Sequence, residues 1–431
     1  MITRRDILKA LPLAALSAGA SGPARAYQAG AHSAPGSHPD PHAGAAIGLS
    51  RNGRYFVDEH AKPFFWQGDT EWELFRSFSP ADAGKLLRQR RDQGFNAIQV
   101  MVTGVPPESS TLPGMPAWLN NNPRTPNEEY FQRVDSIVAA ARDCGVVLVI
   151  GVYHARDSDA GRITAGNAKP WAKWLAQRYR SAKNVVWSMY PHAEPASTPI
   201  ARATAQGLAE GDGGAHLITM HPDPSPTSSS FLHAEPWLAF NTIQTFDSAL
   251  VNYRMTAADY ARTPVKPVVD GEARYEDGAG ITPREIRRGA YLACLAGGFY
   301  SYGNDGNWRS PSTWREWIDS PGALQIKVLG DVFRSLQWWE LVPDQSIFAG
   351  EPGGNAAARS ASGIWIMAYL SRSAPVTIQL DHVAGQGSAA AWWVDPTTGA
   401  RTRVGVFPAT GRQTFSPPQL WQDALLLIVR Q

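Results

Sequence analysis

Two glutamates close apolar, β-rich runs in this chain of 431 residues: Glu194 in NVVWSMYPHAEP (184–195) and Glu272 in KPVVDGE (266–272). Two carboxyl groups on either side of one glycosidic bond are what its hydrolysis needs. The leaving oxygen must receive a proton, and the oxocarbenium-like carbon must face an anion. The acid of such a pair is kept protonated near neutral pH by burial and by its anionic neighbour. About eighty positions separate the two glutamates, so only a fold that collects strand ends at one pocket can pair them.

The surrounding pattern supplies such a fold. From Ser50 onward, short apolar strands alternate with connections or helices eight times over about 290 residues. The strand runs are 63–70, 96–102, 146–153, 184–190, 216–220, 240–245, 267–272 and 299–303. Helices are expected at 80–93, 128–144, 169–180, 199–210, 250–261, 283–296 and about 322–338. Ser79 can cap the first of these, with Pro80 at its first position and Gly94 at its end. Strands of this kind imply a parallel sheet, and eight of them predict a closed α/β barrel of the (β/α)8 or TIM type. Glu194 then follows the fourth strand and Glu272 ends the seventh.

Other polar residues fall at or just past strand ends. Asp69 and Glu71 follow the first strand and are expected to hydrogen-bond sugar hydroxyls. Gln99 and His154 belong to the second and third strands, and His221 and Gln244 to the fifth and sixth. Tyr302, Asn304, Asp305 and Trp308 follow the eighth, with Trp308 placed to stack on a sugar face. No Gly-rich phosphate loop follows the first strand and no metal-ligand spacing stands out, so neither cofactor nor metal is expected.

Helical periods disappear after Val342. Short β-rich runs at 356–360, 363–370, 376–380, 390–394, 402–406 and 424–429 predict a small antiparallel β-sandwich over 342–431. Trp392 and Trp393 are adjacent, so a strand sends them to opposite faces.

The N-terminus reads as an address. Thr3-Arg4-Arg5-Asp6-Ile7-Leu8-Lys9 approaches a twin-arginine export pattern, an apolar run follows, and Ala24-Arg25-Ala26 resembles a cleavage site. A signal peptide at 1–26, a disordered leader at 27–47, the barrel at 48–341 and the sandwich are the expected divisions. Export to the periplasm or beyond follows. Residues 1–26 carry +3 of a formal total of +2, so the mature chain holds about −1. That balance argues against nucleic acid or an anionic membrane as partner. No later run approaches the roughly 20 apolar residues of a membrane span. Cys144 and Cys294 are expected as separate buried thiols. A monomer acting on an oligo- or polysaccharide is the expected species.

Several segments in order resemble the apiosidase-like glycoside hydrolases, a barrel joined to a C-terminal domain labelled collagen-binding. They are FFWQGDTEWELF (64–75), GFNAIQVMV (94–102), NVVW (184–187), HLITMHPDPSPTSSS (216–230), WLAFNTIQT (237–245), KPVVDGEARYED (266–277) and RRGAYLACLAGGFYSYGNDGNW (287–308). AAWWVDPTTGA (390–400) and TFSPP (414–418) match in the tail. The resemblance implies a hydrolase of polysaccharide side chains, often furanosidic, such as apiose- or arabinose-like residues. With Glu272 as nucleophile it would be retaining and exo-acting. One stretch departs. The family commonly ends strand four in a Gly-Gly-Asp-Arg-Asn-Pro-like run whose aspartate is the acid. Here Tyr190-Pro191-His192-Ala193-Glu194-Pro195 stands there, with His192 at the aspartate position. Either Glu194 substitutes, as in the Asn-Glu-Pro ending of other barrel glycosidases, or His192 donates the proton, or the family's activity is lost. A non-catalytic carbohydrate-binding protein on a degenerate barrel is the alternative that the departure leaves open.

Overall fold

The computed structural model describes residues 46–103, 105, 115–154, 161–190, 195–224, 227–246, 249–308, 312–383, 385 and 387–431. The signal reading and all but the last two residues of the expected leader, as well as His192 and Glu194, lie outside the described residues, and Ile47 begins a strand paired with Asp58. Eight parallel strands form the central sheet: β1 (Gln67–Thr70), β2 (Ala97–Met101), β3 (Val147–His154), β4 (Val185–Tyr190), β5 (Ile218–Met220), β6 (Asn241–Gln244), β7 (Val268–Glu272) and β8 (Phe299–Tyr302). Within β1 to β5 each strand pairs with the next in chain order, as it does within β6 to β8, and β8 pairs with β1, Tyr300 opposite Gln67. A bridge between Ile218 and Leu238, with Ala239 N–H donating to the Ile218 carbonyl at 2.8 Å, joins β5 to the start of β6. The expected eight strands are therefore present, and they close a barrel.

Seven longer helices cover it: α1 (Pro80–Asp92), α2 (Glu128–Asp143), α3 (Ala168–Tyr179), α4 (Thr198–Asp212), α5 (Ala249–Tyr260), α6 (Pro283–Leu295) and α7 (Pro321–Arg334). Local chemistry sets their ends. The Ser79 hydroxyl accepts from Asp82 N–H at 3.1 Å, and Gly94 turns the chain out of α1 at φ +85°. Thr282 and Glu285 make a reciprocal capping box at the start of α6. Among the described residues between β5 and β6, the connection holds the single helical turn Ser229–Leu232. No described helix is long and apolar enough to cross a membrane.

An N-terminal hairpin plugs the end of the barrel where the strands begin. Phe56 is fully buried, with ring centroids 5.0 Å from Trp66, 5.1 Å from Phe240 and 5.5 Å from Phe299. These residues lie just before β1 and β6 and at the start of β8, so this end is filled by aromatic packing. Chemistry is left to the opposite end, as in other barrels of this kind.

The C-terminal region forms β9 (Leu341–Pro343), β10 (Ala356–Ser360), β11 (Trp365–Leu370), β12 (Val376–Gln379), β13 (Ser388–Val394), β14 (Arg401–Pro408), β15 (Arg412–Phe415) and β16 (Ala424–Arg430). A six-stranded antiparallel sheet runs β9-β10-β11-β16-β13-β14, and β12 pairs with β15. Two of these, β9 and β15, are short strands that the sequence pattern did not announce. Trp393 is buried in the sandwich core while Trp392 is only half-buried, as strand alternation requires. Cys144 and Cys294 are free thiols, the first half-buried and the second buried.

The sandwich docks through charge on α6, the helix of the β7 unit. Arg287 makes a two-pronged pair with Asp423, at 2.7 Å (Nε to Oδ2) and 2.5 Å (Nη2 to Oδ1). Tyr369 donates to Asp423 at 2.5 Å, and its ring stacks on Tyr291 at 4.7 Å. Both charges are almost fully buried. Asp423→Ala leaves a buried guanidinium without its carboxylate, a loss expected to lower unfolding free energy by about 2–3 kcal/mol in urea titrations. A stability unchanged within error would show that the two domains do not depend on this pair.

Candidate active site

Glu272 is the acid that the fold presents at the open end of the barrel, and a defect in β7 aims it. Asp270 lies opposite Ile243, yet Glu272 lies opposite Gln244, so Gly271 is an extra residue. Asp270 faces the helices, accepting from Asn252 at 2.6 Å and Thr245 at 2.8 Å. A Cβ on Gly271 would face the barrel interior, 3.5 Å from Gln99 and 3.6 Å from His221. Strict alternation would then send Glu272 back outward. The bulge turns it toward the mouth instead, beside residues of β4, β5 and β6. Gly271 has to be glycine, since its Cβ would sit 2.5 Å from the Thr242 methyl.

The carboxylate is held on both oxygens. Oε2 accepts from Gln244 Nε2 at 2.9 Å and from Tyr190 Oη at 3.1 Å, with His221 Nε2 at 3.4 Å. Oε1 accepts from Tyr275 Oη at 2.9 Å, and that hydroxyl accepts from Trp72 Nε1 at 2.6 Å. His221 Nδ1 lies 3.1 Å from the Pro222 carbonyl, which requires a proton on that nitrogen. Its Nε2 is therefore the nitrogen turned toward Glu272. Gln99 Nε2 donates to the Gly271 carbonyl across the barrel and braces the bulge from below. His154 stacks on Tyr190 at 4.8 Å, and Tyr190 lies 4.4 Å from His221. Trp72, Met101, Tyr275 and Trp308 form an apolar wall alongside, with Tyr190 packed against it.

Burial pushes the Glu272 carboxyl up to about 7, the Tyr275 and Tyr190 hydroxyls hold it down, and the charges of Asp270 and Asp305 add to the rise. Asp270 is also pushed up to about 7 by burial, but it has no path to a substrate.

Five residues expected to touch a sugar are held by other contacts. Asp69 and Glu71 are both 0% exposed and face Arg90 of α1, whose Nε lies 2.6 Å from Asp69 and 3.7 Å from Glu71. Burial and the neighbouring Asp69 hold the Glu71 carboxyl well above the usual range. Asn307 Nδ2 donates to Glu71. An acid after a strand is here a buried counter-charge, because α1 brings a cation to it. Tyr302 is also fully buried, donating to Glu276 at 2.5 Å. Asn304 gives Nδ2 to Asp277 and Ser320 and accepts from Gly306 N–H, so it shapes its loop. Trp308 is 5% exposed within the apolar wall, where it packs. Trp72, Tyr190 and Tyr275 join the site without having been singled out. Each is an aromatic at a strand end, a signal that core packing produces equally well.

The family profile described as "Apiosidase-like, catalytic domain" matches residues 50–340, and "Putative collagen-binding domain of a collagenase" matches 342–429. A solved "Glycoside hydrolase" superposes with a TM-score of 0.81 at 25% identity, covering 90% of this chain and 97% of that one. A glycoside hydrolase family 5 structure from Bacteroides vulgatus ATCC 8482 gives 0.82 at 26% identity, covering 89% and 93%. A comparison with curated proteins finds no match. With a family profile spanning the whole barrel and a buried glutamate at the end of its seventh strand, the chain belongs to the apiosidase-like family and is a glycoside hydrolase acting on carbohydrate.

Proposed function

We propose that this protein is an exported, retaining, exo-acting glycoside hydrolase that removes furanosidic residues, apiose- or arabinose-like, from plant or bacterial polysaccharides. The observation that carries the reading is Glu272. It ends β7, is only 6% exposed, and has both oxygens held by hydrogen-bond donors. A carboxylate so fixed is oriented for in-line attack on an anomeric carbon before substrate arrives. Its deep setting favours a terminal sugar over the middle of a long chain. Glu194, after strand four, is the proposed acid/base, protonating the leaving oxygen and then activating water. The furanosidic preference is supported by the family's description alone, and export by the twin-arginine-like N-terminus.

Phe246, just past β6, offers a place for the leaving portion of the substrate. It is 42% exposed although fully apolar, and its ring lies 6.4 Å from that of Tyr275. Phe246→Ala is expected to raise KM about tenfold, in line with one lost stacking contact, with kcat within about twofold. An unchanged KM would remove Phe246 from the substrate path.

The test of the whole reading is a screen of purified enzyme against pectins, arabinans and bacterial cell-wall glycans. Released sugars would be identified, and the anomer first formed read by proton NMR. Terminal monosaccharides released with retained configuration are expected. Internal fragments would overturn the exo reading, and an inverted anomer the retaining one.

A further inference from the structure

The hydrogen bonds around Glu272 are unequal in a way that assigns its oxygens. Among the described residues, Oε2 accepts from Gln244 and Tyr190, which occupy both of its lone-pair directions, and His221 Nε2 lies 3.4 Å away. Oε1 faces one donor, Tyr275. A carboxylate oxygen that attacks carbon must keep a lone pair free, so Oε1 is the attacking oxygen and Oε2 the anchor.

The Tyr275 hydroxyl has one hydrogen. Trp72 Nε1 can only donate, so at 2.6 Å it takes a lone pair of that hydroxyl and leaves the hydrogen for Glu272. The Tyr275 ring is fixed as well. It is 8% exposed and lies against Gly303, where a Cβ would come within 2.5 Å of it. We infer that Trp72, after β1, acts through Tyr275 to aim one hydrogen bond at the attacking oxygen of Glu272, making Trp72 a positioning residue for the reaction. The inference rests on the reading of Glu272 as nucleophile and adds the atom that attacks and the residues that prepare it.

Groups that face Glu272 set the expected pH behaviour. Tyr190 and Tyr275 favour its charged form, while Asp270 and Asp305 disfavour it. His221 adjoins Oε2 from β5, and Gln244 from β6 is neutral. A nucleophile must be ionised, so kcat/KM falls as pH drops through its titration. Removing a donor to the charged form moves that acid limb to higher pH.

The experiment compares Tyr275→Phe, Trp72→Phe and the double variant in the full chain, recording kcat, KM and pH profiles. Each single variant is expected to lower kcat about tenfold or more, leave KM within about twofold, and raise the acid limb by about one pH unit. The double variant should add little, since the two side chains act in series. An unmoved acid limb in Tyr275→Phe, or a Trp72→Phe effect confined to KM, would overturn the inference. Tyr275→Phe removes one oxygen and keeps the ring, so it decides the matter even if Trp72→Phe fails to fold. Glu272→Gln is the control: if it stays active the nucleophile reading fails, and if it is inactive while the profiles do not move, only this inference fails.

Discussion

Glu272→Ala is expected to reduce turnover of the natural substrate by about 10³-fold or more, equivalent to at least about 4 kcal/mol of transition-state stabilisation. The methyl group leaves a space at the end of β7, bordered by Gln244, Tyr190 and Tyr275. A small external nucleophile such as azide fits such a space. With an activated substrate, azide should restore rate and give a glycosyl azide of the opposite anomeric configuration, because one displacement replaces two. Rescue that yields the hydrolysis product without the azide adduct, or activity that survives unaided, would take the nucleophile's role from Glu272. The wild-type profile carries a linked sign. Burial raises the Glu272 carboxyl to about 7, so its ionised fraction falls as the solution becomes more acid. The acid limb of kcat/KM should therefore lie near neutrality, well above the ordinary range of a glutamate.

Arg90→Met should cost about 3–5 kcal/mol of unfolding free energy, the largest stability effect expected of a single change here. Arg90 is the cation beside Asp69 and Glu71, and all three side chains are 0% exposed. Methionine keeps most of the volume and removes the charge, leaving two carboxyls in the dry wall between β1 and α1. Both must then stay protonated to remain buried. A carboxyl with a raised folded-state pKa adds stability that is present at low pH and is lost as pH rises. The deficit of the variant should accordingly be smaller near pH 5 than near pH 8. Urea denaturation at the two values measures it. A deficit below about 1 kcal/mol at both would show that the acids do not depend on the arginine.

Much of the framework is legible in the chain because parallel barrel strands are buried on both faces and read as continuous apolar runs. Val147 to Val152 and Val185 to Met189 are such runs, and each became a strand in the expected place. The sandwich was legible from β-rich runs between turns, but β15 was not, since Arg412–Phe415 is a short and mostly exposed pair with β12. At the site, one signal served for two different outcomes. An acid closing an apolar run marked Glu272, which reaches the mouth, and equally Asp69, which does not. The difference is Arg90. It lies on the buried face of α1 with Leu86 and Leu87, and a cation in that position signals a buried partner. The bulge at Gly271 left no sign beyond the glycine itself, because the crowding by Thr242 comes from a neighbouring strand. Trp72, Tyr190 and Tyr275 were hidden for a similar reason. Their hydroxyl and indole groups gain meaning only from the carboxylate that tertiary structure sets beside them.

The most direct measurement of the central claim is mass spectrometry of the enzyme inactivated with an activated 2-deoxy-2-fluoro glycoside of the sugar it releases. The account expects one glycosyl residue per chain, esterified to the peptide that contains Glu272. Labelling of a different carboxylate, or turnover to an inverted product with no covalent adduct, would contradict it.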